Sequence, residues 1–123
     1  SINWINYPTQ VKNTYLRLVC DGKQVSICYD IQFKDPGIQA IFWEQLTELK
    51  VVLESNLSIA TIWEPQFVNN EGQTIGRIFW VLEGANFYDQ QDWPKIYAFF
   101  KKHLREFDVF YQEFNEILIT LVD

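Results

Sequence analysis

An α+β sandwich in the order ββαββα, with two helices packed on an antiparallel or mixed sheet, is what three stretches of this 123-residue chain predict. Residues Gln24 to Phe33 alternate polar and apolar side chains without a fault, the period-two pattern of a half-buried strand. Arg77-Ile78-Phe79-Trp80-Val81-Leu82 is apolar on both sides, as in a strand covered on both faces. From Trp93 to Asp123 no Gly or Pro follows Pro94, and apolar residues recur in steps of four and three, from Trp93 and Tyr97 through Phe100, Leu104, Phe107, Tyr111, Phe114, Leu118 and Leu121. That spacing keeps them on one face of a long helix, with Ile96, Phe110 and Ile117 widening the stripe.

In chain order, residues 1–13 read as an extended arm. Pro8 biases Tyr7 towards extended geometry, and Trp4 and Tyr7 are expected to pack on the core. Residues 14–33 form a β-hairpin in which Asp21-Gly22 favours a two-residue type I′ turn. Setting Cys20 opposite Lys23 places Leu18 against Val25 and Leu16 against Ile27, so one face collects the aliphatic side chains and the other holds Arg17, Gln24, Ser26 and Asp30. Cys20 and Cys28 then point to opposite sides of the sheet, which excludes a disulfide between them.

Asp35-Pro36 announces a helix over 36–56, because Asp caps and Pro is tolerated at the first helical position. Its buried side is Ile38, Ile41/Phe42, Leu46, Leu49 and Val52/Leu53, with Trp43 on the flank. A second strand pair occupies 61–82 around the polar turn Asn69-Asn70-Glu71-Gly72. Pairing Phe67 with Thr74 sets Trp63 opposite Ile78 and Glu64 opposite Arg77, and Pro65 requires that strand to be at an edge or bulged. The last helix takes 92–123, with Gln91 or Asp92 at its start. All of this makes 1–123 one domain, long enough to bury a core without metal or disulfide support.

Composition narrows the function classes. The chain is 48% hydrophobic and 21% charged, in the globular range, and its 17% aromatic content calls for a thick core or a contact surface. A net charge of −6 disfavours nucleic-acid binding by the chain alone, since phosphate contacts need clustered Lys and Arg. No apolar run approaches membrane-spanning length and no signal-peptide pattern opens the chain, so a cytoplasmic protein without a membrane partner is expected. The lack of any Met and the start at Ser1 suggest an internal fragment or a processed start.

Trp4 to Tyr7, Phe42 with Leu46, Trp63-Glu64, Arg77-Ile78 and Asp92-Trp93-Pro94 together resemble the bacterial domain-of-unknown-function family four-two-six-eight. The resemblance covers essentially the whole chain. It implies small proteins or C-terminal modules, some attached to endonuclease-like proteins, with no established catalytic residues. It also implies a short aromatic helix ahead of the segment matching Ile2 to Tyr7, and the present chain starts after it.

No catalytic constellation emerges, and the chain is expected to be neither an enzyme nor a cofactor or metal carrier. The one Glu-x-Lys, Glu48-Leu49-Lys50, falls inside a helix, Asp30 is alone on its strand, and the single His103 sits among Phe99, Phe100 and Phe107. Two surfaces remain as candidates. One is a groove or interface made by Trp63, Glu64, Arg77 and Trp80 with Phe107, Phe110 and Phe114 of the last helix; the other is a basic patch of Lys95, Lys101, Lys102 and Arg105. Glu64 and Arg77 read as a cross-strand ion pair. The last helix, at about 1.5 Å per residue, is too long for a four-stranded sheet spaced at about 4.8 Å per strand. Its overhanging aromatic end and its basic-then-acidic charge order predict an antiparallel homodimer, with a different protein partner as a further option. The alternative is an accessory nucleic-acid-associated role in a restriction or defence system.

Overall fold

The computed structural model describes residues 6–20 and 22–123, so Trp4 and the Asp21 side of the first turn lie outside the described residues. Strand β1 is Thr14–Cys20 and β2 Gln24–Ile31, followed by helices α1, Pro36–Glu48, and α2, Lys50–Asn56. Then come β3, Ile62–Val68, β4, Thr74–Glu83, a 3-10 turn over Gln90–Asp92, and α3, Trp93–Leu121. The strands form one antiparallel sheet in the order β1-β2-β4-β3, which puts β2 and β4 in the middle and β1 and β3 at the edges. The fold is α+β, with a four-stranded antiparallel sheet and a long C-terminal helix.

Alternation along each strand divides the sheet into two faces. Leu16, Leu18, Val25, Ile27, Tyr29, Ile31, Ile78 and Trp80 face the helices, and Phe107 and Tyr111 of α3 lie over Tyr29, with Phe107 also stacked on Trp80 at 5.9 Å. The other face carries Tyr15, Arg17, Val19, Ser26, Cys28, Asp30, Ile75, Arg77 and Phe79, and no helix among the described residues covers it. The two-sided apolarity of β4 therefore does not report a second helical layer. Arg17 of β1 and Arg77 of β4 reach over β2 to Asp30 instead, and Ser26, Cys28 and Asp30 of that strand are buried.

The hairpin register differs from the sequence expectation by two residues: Cys20 pairs with Val25, Leu18 with Ile27 and Leu16 with Tyr29. Because the slip is even, every side chain stays on its expected face. Cys20 and Cys28 remain on opposite faces and form no disulfide.

The helix expected over 36–56 is interrupted at Leu49, whose N–H is shared between the carbonyls of Gln45 and Leu46. Two residues earlier, the Thr47 hydroxyl bonds back to the Trp43 carbonyl at 2.9 Å, a pattern that bends helices. The bend lets α2 pack on α3 while α1 sets Trp43 against Gly76 and Trp63 of the sheet. Gln39 of α1 donates to Ile31 O and accepts from Phe33 N, tying the helix to the end of β2. Ile38 and Ile41, expected to be buried, are exposed, and Phe42 and Leu46 hold the core contact. Asp35 caps α1 by accepting from Gly37 N and Ile38 N.

Strand β3 is both an edge strand and bulged. Trp63 pairs with Ile78 and Glu64 with Arg77 as expected, but beyond Pro65 the register moves by one, so Phe67 faces Ile75 rather than Thr74. Proline cannot donate to the ladder, and the bulge absorbs it.

Helix α3 is continuous and about 43 Å long. Phe107 and Phe110 are 0% exposed and Phe114 is half-buried, so this stripe fills the molecule's own core instead of overhanging it. The segment before β1 supplies the missing cover. Buried Tyr7 packs edge-on to Phe107 and Tyr111 and donates to Asp108 Oδ1 at 2.5 Å, and the Tyr111 hydroxyl donates to Thr9 O. Trp93, Tyr97 and Ile117, placed in the stripe by spacing alone, are exposed. Asp92 does not cap α3 with its side chain but accepts from Asn86 N at 2.8 Å, which fastens the preceding loop.

Candidate functional site

Two surfaces carry chemistry. The first is the outer face of α3. Lys101, Lys102 and Arg105 line a groove of about 490 Å³ together with Asn56, Ala98, Glu106 and Val109. Lys95 stands apart: it pairs with Asp92 at 3.6 Å near the start of the helix, so the basic patch read from sequence reduces to three members. Behind the groove, buried His103 contacts Glu106 Oε1 through Nδ1 at 2.6 Å, and the same oxygen accepts from Ser58 N at 3.2 Å. Burial works to raise the Glu106 carboxyl, but the hydrogen bonds from Ser58 and His103 and the His103 charge outweigh it and hold the group below the usual glutamate range. His103 is thus a packed, hydrogen-bonded residue beneath the basic face.

Farther along the same face stand Glu113 and Glu116, both exposed. Among the described residues, none of Lys102, Arg105, Glu113 and Glu116 takes part in an ion pair within the chain. Val109, between the basic and the acidic pair, is 55% exposed.

The second surface is the uncovered sheet face. Asp30, on central strand β2, is 0% exposed, and strand pairing sets it directly opposite Arg77 of β4 and Tyr15 of β1. Arg77 Nε donates to Asp30 Oδ1 at 2.8 Å and its Nη2 to Oδ2 at 2.9 Å, the paired fork geometry of a strong guanidinium–carboxylate contact. Arg17, one step along β1, donates from Nη1 to Asp30 Oδ2 at 2.7 Å and to Gln32 Oε1 at 2.8 Å. Arg17 also lies 4.3 Å from the Tyr15 ring centroid and Arg77 4.2 Å from that of Phe67. Burial works to lower the Arg77 pKa, but the bonds to Asp30 and the nearby acidic groups raise it above its ordinary value. Burial pushes the neighbouring Cys28 thiol up to about 11 despite the opposing pull of Arg77.

Of the residues read from sequence as one groove, the structure separates Trp63 and Trp80 from Glu64 and Arg77. Adjacent residues on a strand point to opposite faces, so Trp63 packs against Trp43 and Trp80 is buried under α3, while Glu64 and Arg77 belong to the uncovered face. Arg77 takes Asp30 rather than Glu64 as its partner, because a fully buried carboxylate requires a donor and exposed Glu64 has water. Phe107 and Phe110 are core residues. The residues missed were Asp30 and Arg17. The only sequence signal was that Asp30 and Arg17 share a hairpin face, and the pairing of β2 with β4 that brings Arg77 to them had no local signature.

Residues 1–115 match the family described as Domain of unknown function (DUF4268), nearly the whole chain and all the residues that carried the resemblance. The chain belongs to this family. No curated protein and no solved structure matches it at a significant level. In this DUF4268 chain, no cluster of His, Cys, Asp and Glu with the makings of a metal site occurs among the described residues. No helix among them is long and apolar enough to cross a membrane.

Proposed function

We infer that this DUF4268 chain is a non-catalytic interaction module of a cytoplasmic protein that pairs with a second copy of itself along the outer face of α3. The observation that carries this reading is the placement of charge about Val109. Arg105 and Lys102 precede Val109 by four and seven residues, and Glu113 and Glu116 follow it by four and seven. Steps of four and seven stay on one helical face. An antiparallel two-fold pairing centred on Val109 sets Lys102 and Arg105 of each copy against Glu113 and Glu116 of the other. Exposed ion pairs contribute only about 0.2–1 kcal/mol each, so they fix orientation while Val109, Ala98 and Ile117 supply apolar contact.

Light scattering on three proteins tests the pairing. The unsubstituted chain is expected to be dimeric at tens of micromolar. An all-acidic variant, Lys102→Glu with Arg105→Glu, and an all-basic variant, Glu113→Lys with Glu116→Lys, are each expected to be monomeric alone and to form a one-to-one complex when mixed. A monomeric unsubstituted chain, or variants that stay dimeric singly, overturns the reading.

A second reading is favoured by Lys101, Lys102 and Arg105 lining one groove: an accessory nucleic-acid contact in a restriction or defence system. It requires affinity that falls steeply with salt and is lost in the all-acidic variant. In this reading, mixing with the all-basic variant gives no complex between the two chains.

A further inference from the structure

We propose that the groove over Arg17 and Arg77 on the uncovered sheet face is a binding site for a carboxylate ligand. The groove has a volume of about 640 Å³ and is lined by Arg17 and Arg77 together with Phe67 and Val19, with the β3–β4 turn, Asn69 to Gln73, as its rim. Asp30 lies wholly beneath it and anchors both arginines. Arg17 donates only through Nη1, and Arg77 only through Nε and Nη2, among the described residues. Arg17 Nε and Nη2 and Arg77 Nη1 keep their donors, on side chains held by Asp30 below and by the Tyr15 and Phe67 rings beside them. Donors fixed before binding lose little entropy on meeting an anion, and a guanidinium edge matches a carboxylate with two parallel hydrogen bonds.

The charge balance selects the class of anion. Two arginines against one buried aspartate leave the guanidinium pair with a single net positive charge, which a monoanionic carboxylate neutralises. Exposed Glu71 at the rim and exposed Glu64, opposite Arg77 on the same face, turn the surroundings net negative and repel a phosphate dianion more strongly than a monoanion. The Phe67 and Val19 walls favour a carboxylate attached to an apolar or aromatic body, such as an aromatic acid or the C-terminus of a peptide. This site shares no residue with the outer face of α3.

The test is a titration of the whole chain with benzoate, and in parallel with inorganic phosphate, followed by the side-chain Nε–H signals of Arg17 and Arg77 in two-dimensional NMR. Benzoate is expected to move both signals with saturation, and phosphate at equal concentration and ionic strength to move neither. A peptide ending in phenylalanine with a free carboxylate should bind, and its C-terminal amide should not, which separates the two sources of the group. Arg17 is 39% exposed, so Arg17→Gln should fold and weaken benzoate binding at least about tenfold, the loss of one charged hydrogen bond. No saturable shift with benzoate, an equal response to phosphate, or undiminished binding by Arg17→Gln overturns the proposal.

Discussion

Replacing Asp30 by asparagine removes a charge on which the uncovered sheet face is organised. In the native protein its two oxygens accept from Arg77 Nε and Nη2 and from Arg17 Nη1, at 2.8, 2.9 and 2.7 Å. Hydrogen bonds to charged groups contribute about 1.5–3 kcal/mol net each. The Arg17 side chain is 39% exposed and turns to water when released, so its bond counts little. Arg77 is 14% exposed and has no such escape. Asparagine keeps one acceptor but directs an amide N–H₂ at a guanidinium N–H, donor against donor. The expected loss is about 3 kcal/mol, within the range for breaking a buried pair from one side. With a urea dependence of about 1.5 kcal/mol/M, the unfolding midpoint should fall by about 2 M at an unchanged slope. Replacing the pair together, Asp30→Leu with Arg77→Met, removes both charges and should recover most of the loss, since a well-packed apolar pair is often no worse than a buried ionic one. A midpoint within about 0.5 M of the unsubstituted protein for Asp30→Asn, or a double variant less stable than either single one, refutes the reasoning.

Three further outcomes follow from other parts of the fold. A Cβ at Gly76 would sit 2.6 Å from Trp43 Cε3 and Cζ3, and the Trp43 ring is backed by Trp63 at 5.6 Å; Gly76→Ala should cost about 1–3 kcal/mol in chemical unfolding and shift the tryptophan fluorescence. Cys28 is 1% exposed with its thiol raised to about 11, so Ellman's reagent at neutral pH should leave it unmodified in the native protein and reach it only after denaturation. Glu106 has a folded pKa below its unfolded value, so its contribution is complete above the unfolded value of about 4.3 and is lost as pH falls through the folded one. Glu106→Gln should therefore lose on the order of 1 kcal/mol or less at neutral pH, and the gap to the unsubstituted protein should close in acid unfolding below that range.

Much of this fold is written locally. The alternation of β2, the cap at Asp35, the demand of Pro65 for an edge or a bulge, and the unbroken α3 all follow from residues within a turn or two of each other, where backbone geometry alone sets which side chains share a face. In the first hairpin the register was legible only modulo two, since the pattern that assigns Cys20 and Cys28 to opposite faces is indifferent to a two-residue slip; in the second pair the bulge at Pro65 shifted it by one. The partners of each face were decided by tertiary structure. Whether Phe107 and Phe110 meet a second molecule or the chain's own sheet depends on where Tyr7 and the bent α1–α2 pair come to rest, across many residues of intervening chain. Likewise Asp30, alone on its strand in sequence, becomes the anchor of two arginines only because β4 crosses to lie beside β2. Burial then makes that carboxylate demand charged donors, an energy that long-range pairing creates and no local stretch of sequence contains.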